Sequence, residues 1–244
     1  MGSLRPDSTC QGIEAGALVT EALSLGREVG DAWIVSFALF LQGLAALERG
    51  DHSQAVACAL EAREAADAGG GAVEHGGPLF VLAHVAVSNG DHDRAQQLYD
   101  ESIEVNRRAG ETWGLGILLL AAAAMRIIRE DHAPALAQVS AALSLFQELE
   151  DPRGIAWSLE VFAGLLAAGG QPDGAARLWG ASEGLRERMG ASLAPNIRLI
   201  RDRYIEVVKT SIGEARFAAA CAEGRAMSGR RAISLALQQA RQPG

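Results

Sequence analysis

Three histidines recur at a fixed interval: His52, His92 and His132 occupy the same place in successive stretches of the chain. Recurring histidines raise the question of a metal. Equivalent positions in stacked helical units lie one helix-packing distance apart, about 8–10 Å. A single zinc needs each nitrogen at about 2.1 Å. The three therefore cannot share an ion. They follow Gly50-Asp51, Gly90-Asp91 and Glu130-Asp131, which makes each the opening residue of a helix. Phosphate chemistry fares no better. Lys209 is the only lysine, and although Thr210 follows it, the residues before it are helical and apolar. The Gly69-Gly70-Gly71 run has no preceding strand and no lysine to meet a phosphate. Glu148, Glu150 and Asp151 form a charged turn, and no Cys-x-x-Cys or His-Glu-x-x-His occurs. The serines are read as scattered, outside any Gly-x-Ser-x-Gly setting. The expectation is a chain that is not an enzyme and carries no cofactor or metal.

Composition narrows the rest. With 244 residues, 49% of them apolar, the chain can bury a substantial core. Ala and Leu dominate, aromatics are 5%, and Val-Ile-Thr runs are scarce, which argues against sheet. The longest apolar stretch, Leu115 to Met125, falls well short of the ~20 residues that span a bilayer. No N-terminal stretch combines a basic flank with an apolar core, so no secretory signal is expected. Cys10, Cys58 and Cys221 are odd in number and far apart, as reduced thiols of a cytoplasmic protein are. Cys58 falls on an apolar helix face and reads as a buried thiol. The net charge of −8 is uneven: residues 1–190 carry −13 and residues 191–244 carry +5. An acidic body excludes non-specific nucleic-acid binding by residues 1–190. The basic tail reads as a solvated helix surface, with an acidic partner or a DNA-proximal role left open.

The elements that position these residues follow a period. Turn signals stand at Gly50-Asp51-His52, Gly90-Asp91-His92, Glu130-Asp131-His132 and Gly170-Gln171-Pro172, with a second set at Gly30, Gly70, Gly110, Glu150 and Gly190. Small residues keep the same phase: Ala15, Ala55, Ala95, Ala135 and Ala175; Ala22, Ala62, Ser102, Ala142 and Ser182; Gly43, Ala83, Ala123 and Ala163. So do Leu39, Leu79, Leu119 and Leu159. Each 40-residue unit reads as two antiparallel helices, a nearly all-apolar first and an amphipathic second. Asp51 and Asp91 suit helix caps, and Gly30, Gly70 and Gly110 suit the left-handed residue that ends a helix. The complete units are 31–70, 71–110, 111–150 and 151–190. Residues 1–30 hold a second helix (13–29) without its first, and 191–244 form a helical extension of three further helices. The glycine-rich segment Ala68–Gly77 shortens the first helix of the second unit and reads as a loop or hinge.

The offsets Leu39–Gly43–Ala55–Ala62 and Leu79–Ala83–Ala95–Ser102 resemble the tetratricopeptide repeat, in a form longer than the common one. That resemblance implies an all-α, right-handed helical-hairpin solenoid. The strings Leu178-Trp179-Gly180-Ala181, Gly213–Ala220, Glu223–Ser228 and Ala232–Leu237 resemble the C-terminal end of the repeat region in large bacterial ATPase-linked transcriptional regulators of LuxR type. Opening on a half-unit is read as a piece of a longer protein, the alternative being an end covered by another subunit. The apolar residues Ala15, Leu18, Val19, Ala22 and Leu23 should then leave one flank bare and favour self-association.

In tetratricopeptide solenoids the first helices line a concave groove. Carried over, the groove positions are Phe37, Phe40, Leu44 and Leu47; Gly77, Phe80, His84 and Val87; Ile117, Leu120, Ala124 and Ile127; Trp157, Glu160, Gly164 and Ala167. They are mostly apolar. Two alternatives stand: core under a tightly wound superhelix or the tail, or a groove for an apolar helix or an aromatic-stacked small ligand, with His84 and Glu160 fixing orientation. The resemblance implies a sensor or scaffold module of a transcriptional regulator that binds a protein or small-molecule effector. The alternative is a free-standing adaptor between proteins. Neither reading has this chain touching nucleic acid or membrane.

Overall fold

In the computed structural model the described residues are 8–69, 76–191, 193 and 195–239, and all their regular structure is helical. The order is α1 (Ser8–Val29), α2 (Ala32–Glu48), α3 (His52–Gly69), α4 (Gly76–Ser88), α5 (His92–Ala109), α6 (Thr112–Ile128), α7 (His132–Glu148), α8 (Pro152–Ala168), α9 (Pro172–Met189), α10 (Pro195–Ile212), α11 (Glu214–Arg225) and α12 (Gly229–Gln239). None of the described helices is long and apolar enough to cross a membrane. The chain divides into two compact units, Met1–Ala109 and Gly110–Gly244.

One turn chemistry links the helices. In the first unit the Asp51 amide donates to the Ala46 carbonyl at 2.9 Å and the Gly50 amide to Leu47 at 3.0 Å, a Schellman closure that needs Gly50 in the left-handed region, φ 74. The next residue starts the following helix: Asp51 Oδ1 accepts from the Gln54 amide at 3.0 Å. Asp91 does the same for Arg94 at 3.1 Å, Asp31 for Ile34 at 3.0 Å and Asp151 for Arg153 at 3.0 Å. Asp131 departs from this, pairing instead with Arg126 at 3.0 Å. His52, His92 and His132 open α3, α5 and α7 as turn residues.

In unit 1, α1 packs on α2, α2 on α3, α3 on α4 and α4 on α5, with α2 also beside α4. In unit 2, α6 pairs with α7 and α8 with α9, while α10, α11 and α12 return onto α6, α8 and α9. The small and leucine positions explain the close pairing. Leu39, Gly43, Ala55, Ala62 and every later member of their four columns are buried. Gly43 accepts Val81 of α4, whose methyl would stand 3.3 Å from an added Cβ. The ring of Phe146 on α7 wedges against Gly116 of α6 and Gly154 of α8, where any Cβ would overlap it.

Other expectations need adjustment. Gly70 and residues 71–75 of the glycine-rich segment lie outside the described residues; the described α4 has 13 residues and α2 has 17. Leu23 does not belong to a bare flank: it is buried with Ala38, Leu39 and Ala62, and Val19 packs against that cluster. Among the described residues of α1, the large apolar side chains that stand exposed are Leu18, Leu25 and Val29. Cys58 and Cys221 are free thiols, and Cys58 is buried.

The tail is locked to its unit by backbone approach. A Cβ on Gly180 would overlap the Cys221 carbonyl, one on Gly224 the Arg177 carbonyl, and one on Gly184 would stand 2.7 Å from the Arg225 carbonyl. Three glycines thus let α9 and α11 cross with backbones in contact, and Arg177–Glu223 (2.8 Å) and Arg216–Asp173 (2.7 Å) tie the rims.

Candidate binding faces

In unit 1, Trp33, Phe37, Phe40 and Leu44 fall at i, i+4, i+7 and i+11 of α2 and so share one stripe. Trp33 and Phe37 are 52% and 47% exposed, and their rings stack with centroids 5.3 Å apart and planes within 7°. Phe40 continues the series at 6.2 Å from Phe37. It lies over Gly77 of α4, where a Cβ would sit 2.9 Å from the ring; the glycine is what lets the helices close over a phenyl group. Leu44 and Leu47 are half-buried against Ala46, Ala55, Ala59, Val81 and Val85.

Along α4, Phe80 stacks obliquely on His84 at 4.2 Å. Tyr99 of α5, which no sequence pattern singles out, completes the set: its hydroxyl is 3.0 Å from His84 Nδ1. The same nitrogen is 3.1 Å from the Phe80 carbonyl. Burial dominates the electrostatics. It pulls His84 down to about 4, against a smaller opposing contribution from the Phe80 carbonyl, and it pushes the Tyr99 phenol up. His84 is therefore neutral at neutral pH. Its Nδ1 either accepts the Tyr99 hydroxyl or donates to Phe80, according to tautomer. The face is uncharged and aromatic. An opening of about 610 Å³, which shares Leu44 with the α2 stripe, lies between Gly16, Val19 and Thr20 of α1, Leu41, Gln42, Leu44, Ala45, Glu48 and Arg49 of α2 and Gln54 of α3.

In unit 2 the corresponding positions meet a different fate. Ile117 and Trp157 are half-buried, but Leu120 and Glu160 are fully buried and do not line an open groove. The cause is α10, which lies against α6 and α8. Its buried stripe is Ile197, Ile200 and Val208 with Arg201 and Tyr204 between. Ile200 fills the space over Gly164, where a Cβ would collide with it. Tyr204 donates its hydroxyl to the Ile127 carbonyl at 3.5 Å, and Arg201 stands 3.4 Å from Glu160.

Glu160 is thus a buried carboxylate facing one guanidinium. Burial raises its pKa, outweighing the opposing influence of Arg201, the nearby Ser182 hydroxyl and Arg186. Arg201 also reaches Glu183 at 3.9 Å, and Arg225 of α11 pairs with Glu183 at 2.6 Å. These charges connect α8, α9, α10 and α11. Ser182 corrects the reading of the serines as scattered: it stands in Gly180-Ala181-Ser182-Glu183-Gly184, a Gly-x-Ser-x-Gly string with the letters of a nucleophile elbow. It lies mid-helix in α9, fully buried, and its glycines serve the α11 crossing.

At the entrance to the unit 2 face, Arg153 lies over two indoles, 5.8 Å from the Trp113 ring and 5.5 Å from Trp157. Trp113 also donates Nε1 to Asp151 at 2.9 Å. Of this cluster only Trp157 is among the groove positions carried over from the resemblance; Trp113 and Arg153 belong to no motif. Among the described residues no three His, Cys, Asp or Glu side chains gather as a metal-ligand set. No protein-family model matches the chain, and no curated protein matches it.

Proposed function

We propose that the chain is a tetratricopeptide-like, right-handed helical-repeat module with a 40-residue unit that holds a protein partner, working in the cytoplasm as the sensor or scaffold part of a LuxR-type bacterial transcriptional regulator. The observation that carries the reading is the contrast between two equivalent faces. On unit 2 the chain's own α10 occupies the first-helix face. On unit 1 the counterparts of the covered positions, Phe40, Leu44, Leu47, Phe80 and His84, stay half-buried beside a stacked, exposed Trp33–Phe37 pair. An exposed apolar cluster of that kind marks a recognition surface. The regulator assignment is supported by the resemblance over roughly residues 150–240, whose Gly180, Gly184 and Gly224 have a definite structural task in the α9–α11 crossing.

A photo-crosslinking amino acid at position 37, compared in cells with one at Leu60, tests this. Both sites are 47% exposed. The expected result is a discrete covalent adduct with one protein at position 37 and none at 60. Equal or absent crosslinking at the two sites would overturn the reading.

A further inference from the structure

Resting on the reading that the unit 1 face holds a protein, the chemistry of that face specifies its occupant more narrowly. Positions two repeat periods apart correspond: Phe40 with Leu120, Leu44 with Ala124, Leu47 with Ile127, Phe80 with Glu160 and His84 with Gly164. On unit 2 this surface seats an 18-residue amphipathic helix through the Ile197–Ile200–Arg201–Tyr204–Val208 stripe. Two replacements alter the seat on unit 1. Where Glu160 receives Arg201, unit 1 offers Phe80, so the occupant must present an apolar side chain there. Where Gly164 admits Ile200, unit 1 has the His84 ring, so the occupant must present a small one.

The ledge beside the seat adds a third requirement. Trp113 takes the guanidinium of Arg153 on its ring. Trp33 has the corresponding indole. A cation from the occupant can fill that role, since guanidinium groups favour indole faces. Charge points the same way: residues 1–109 carry 7 basic and 16 acidic side chains, a net of −9, whereas α10 has 4 basic and 2 acidic ones.

We infer that the α2–α4 face of unit 1 seats, in trans, a basic amphipathic helix of a protein partner, with a Gly or Ala opposite His84, an apolar residue opposite Phe80 and an Arg or Lys over Trp33. This is helix-in-groove recognition, with the chain's own tail helix as the pattern for the ligand.

The probe is therefore a fluorescent peptide of residues 195–212 carrying Ile200→Ala and Arg201→Leu, titrated against the full chain and followed by anisotropy. It should bind at least tenfold more tightly than the unsubstituted 195–212 peptide, and weaken as salt is raised from about 0.05 to 0.5 M through screening. Trp33→Ala and Phe37→Ala, both at half-exposed side chains, should each weaken it tenfold or more. Trp113→Ala should leave it unchanged. A version of the probe with Arg198, Arg203 and Lys209 all changed to Glu should not bind the wild type. Failure of the probe to bind, equal binding of the acidic version, or equal loss in the Trp33 and Trp113 variants overturns the inference. So does a wild type found dimeric through this face by light scattering and unaffected by the probe. A crosslink from position 37 to a protein without peptide binding sinks this inference alone; peptide binding without that crosslink sinks the proposed function alone.

Discussion

Glu130 and Glu150 hold left-handed backbone, φ 63 and 50; the equivalents of Glu130 are Gly50, Gly90 and Gly170, and those of Glu150 include Gly30, Gly110 and Gly190. A Cβ there crowds the following carbonyl at a cost of about 1–2 kcal/mol, and both side chains are exposed, so little is lost by removing them. Glu150→Gly and Glu130→Gly should each stabilise by about 1 kcal/mol, a rise in Tm of about 2–4 °C for a chain of this size. Gly90→Ala, where nothing lies within 4 Å of the new Cβ, should lower Tm by a similar amount through backbone strain alone. Differential scanning calorimetry on the three variants decides the point. His84 offers a second test. Its folded value near 4 lies below the ordinary 6.5, so between those values the unfolded chain binds the proton and the folded one does not. His84 neutrality therefore contributes stability that is full above pH 6.5 and is lost as pH falls toward 4, up to about 3 kcal/mol. Glu160 acts oppositely, because burial raises its pKa: its contribution falls as pH rises above the ordinary carboxylate range. In urea melts, His84→Leu should gain on the wild type between pH 7.5 and 4.5. Glu160→Gln should gain between pH 4.5 and 7.5. Parallel pH profiles for wild type and variants would contradict both assignments.

At the scale of elements, the hairpins and the tail are held by different devices. Hairpins rely on small columns such as Ala55 and Ala62, which admit a neighbouring helix without displacing its backbone. The α9–α11 crossing has no such slack, since Gly180 and Gly224 each face a backbone carbonyl that no rotamer change can move aside. Gly180→Ala or Gly224→Ala should cost about 3 kcal/mol by overpacking and speed amide exchange across 214–225, leaving α2 to α5 unaffected. Gly16→Ala on α1, with open space around its Cβ, is the control and should not destabilise. Normal protection of 214–225 in both variants would show that α11 docks by some other contact.

Taking the molecule whole, the hairpins were legible because one requirement, a small residue at the seam, repeats at one phase and leaves columns that can be read directly. Asp51, Asp91, Gly30 and Gly110 took the cap and turn roles their types suggest. The coverage of the faces was not legible. It depends on where a non-periodic helix lands, and nothing in the sequence separation of Glu160 and Arg201 joins them. Glu160 and Gly164 do break the apolar pattern of Phe80 and His84, yet only the seated α10 gives that break its meaning. For the same reason Leu120 stood open between core and groove until Ile200 and Tyr204 were in place, and the Trp113–Arg153–Trp157 cluster needed two helices side by side to be seen.

The seat of α10 also bears on how the chain is made. Ribosomes add about 5–20 residues per second, and α8 ends at Ala168 whereas α10 ends only at Ile212. For several seconds of each synthesis, then, Leu120, Ile127 and the carboxyl group of Glu160 are present on a nascent chain whose covering helix does not yet exist. The short links between α6, α7 and α8 favour early hairpin formation, so a preassembled apolar shelf waits for its lid, and the interval before closure is when this protein most needs a chaperone.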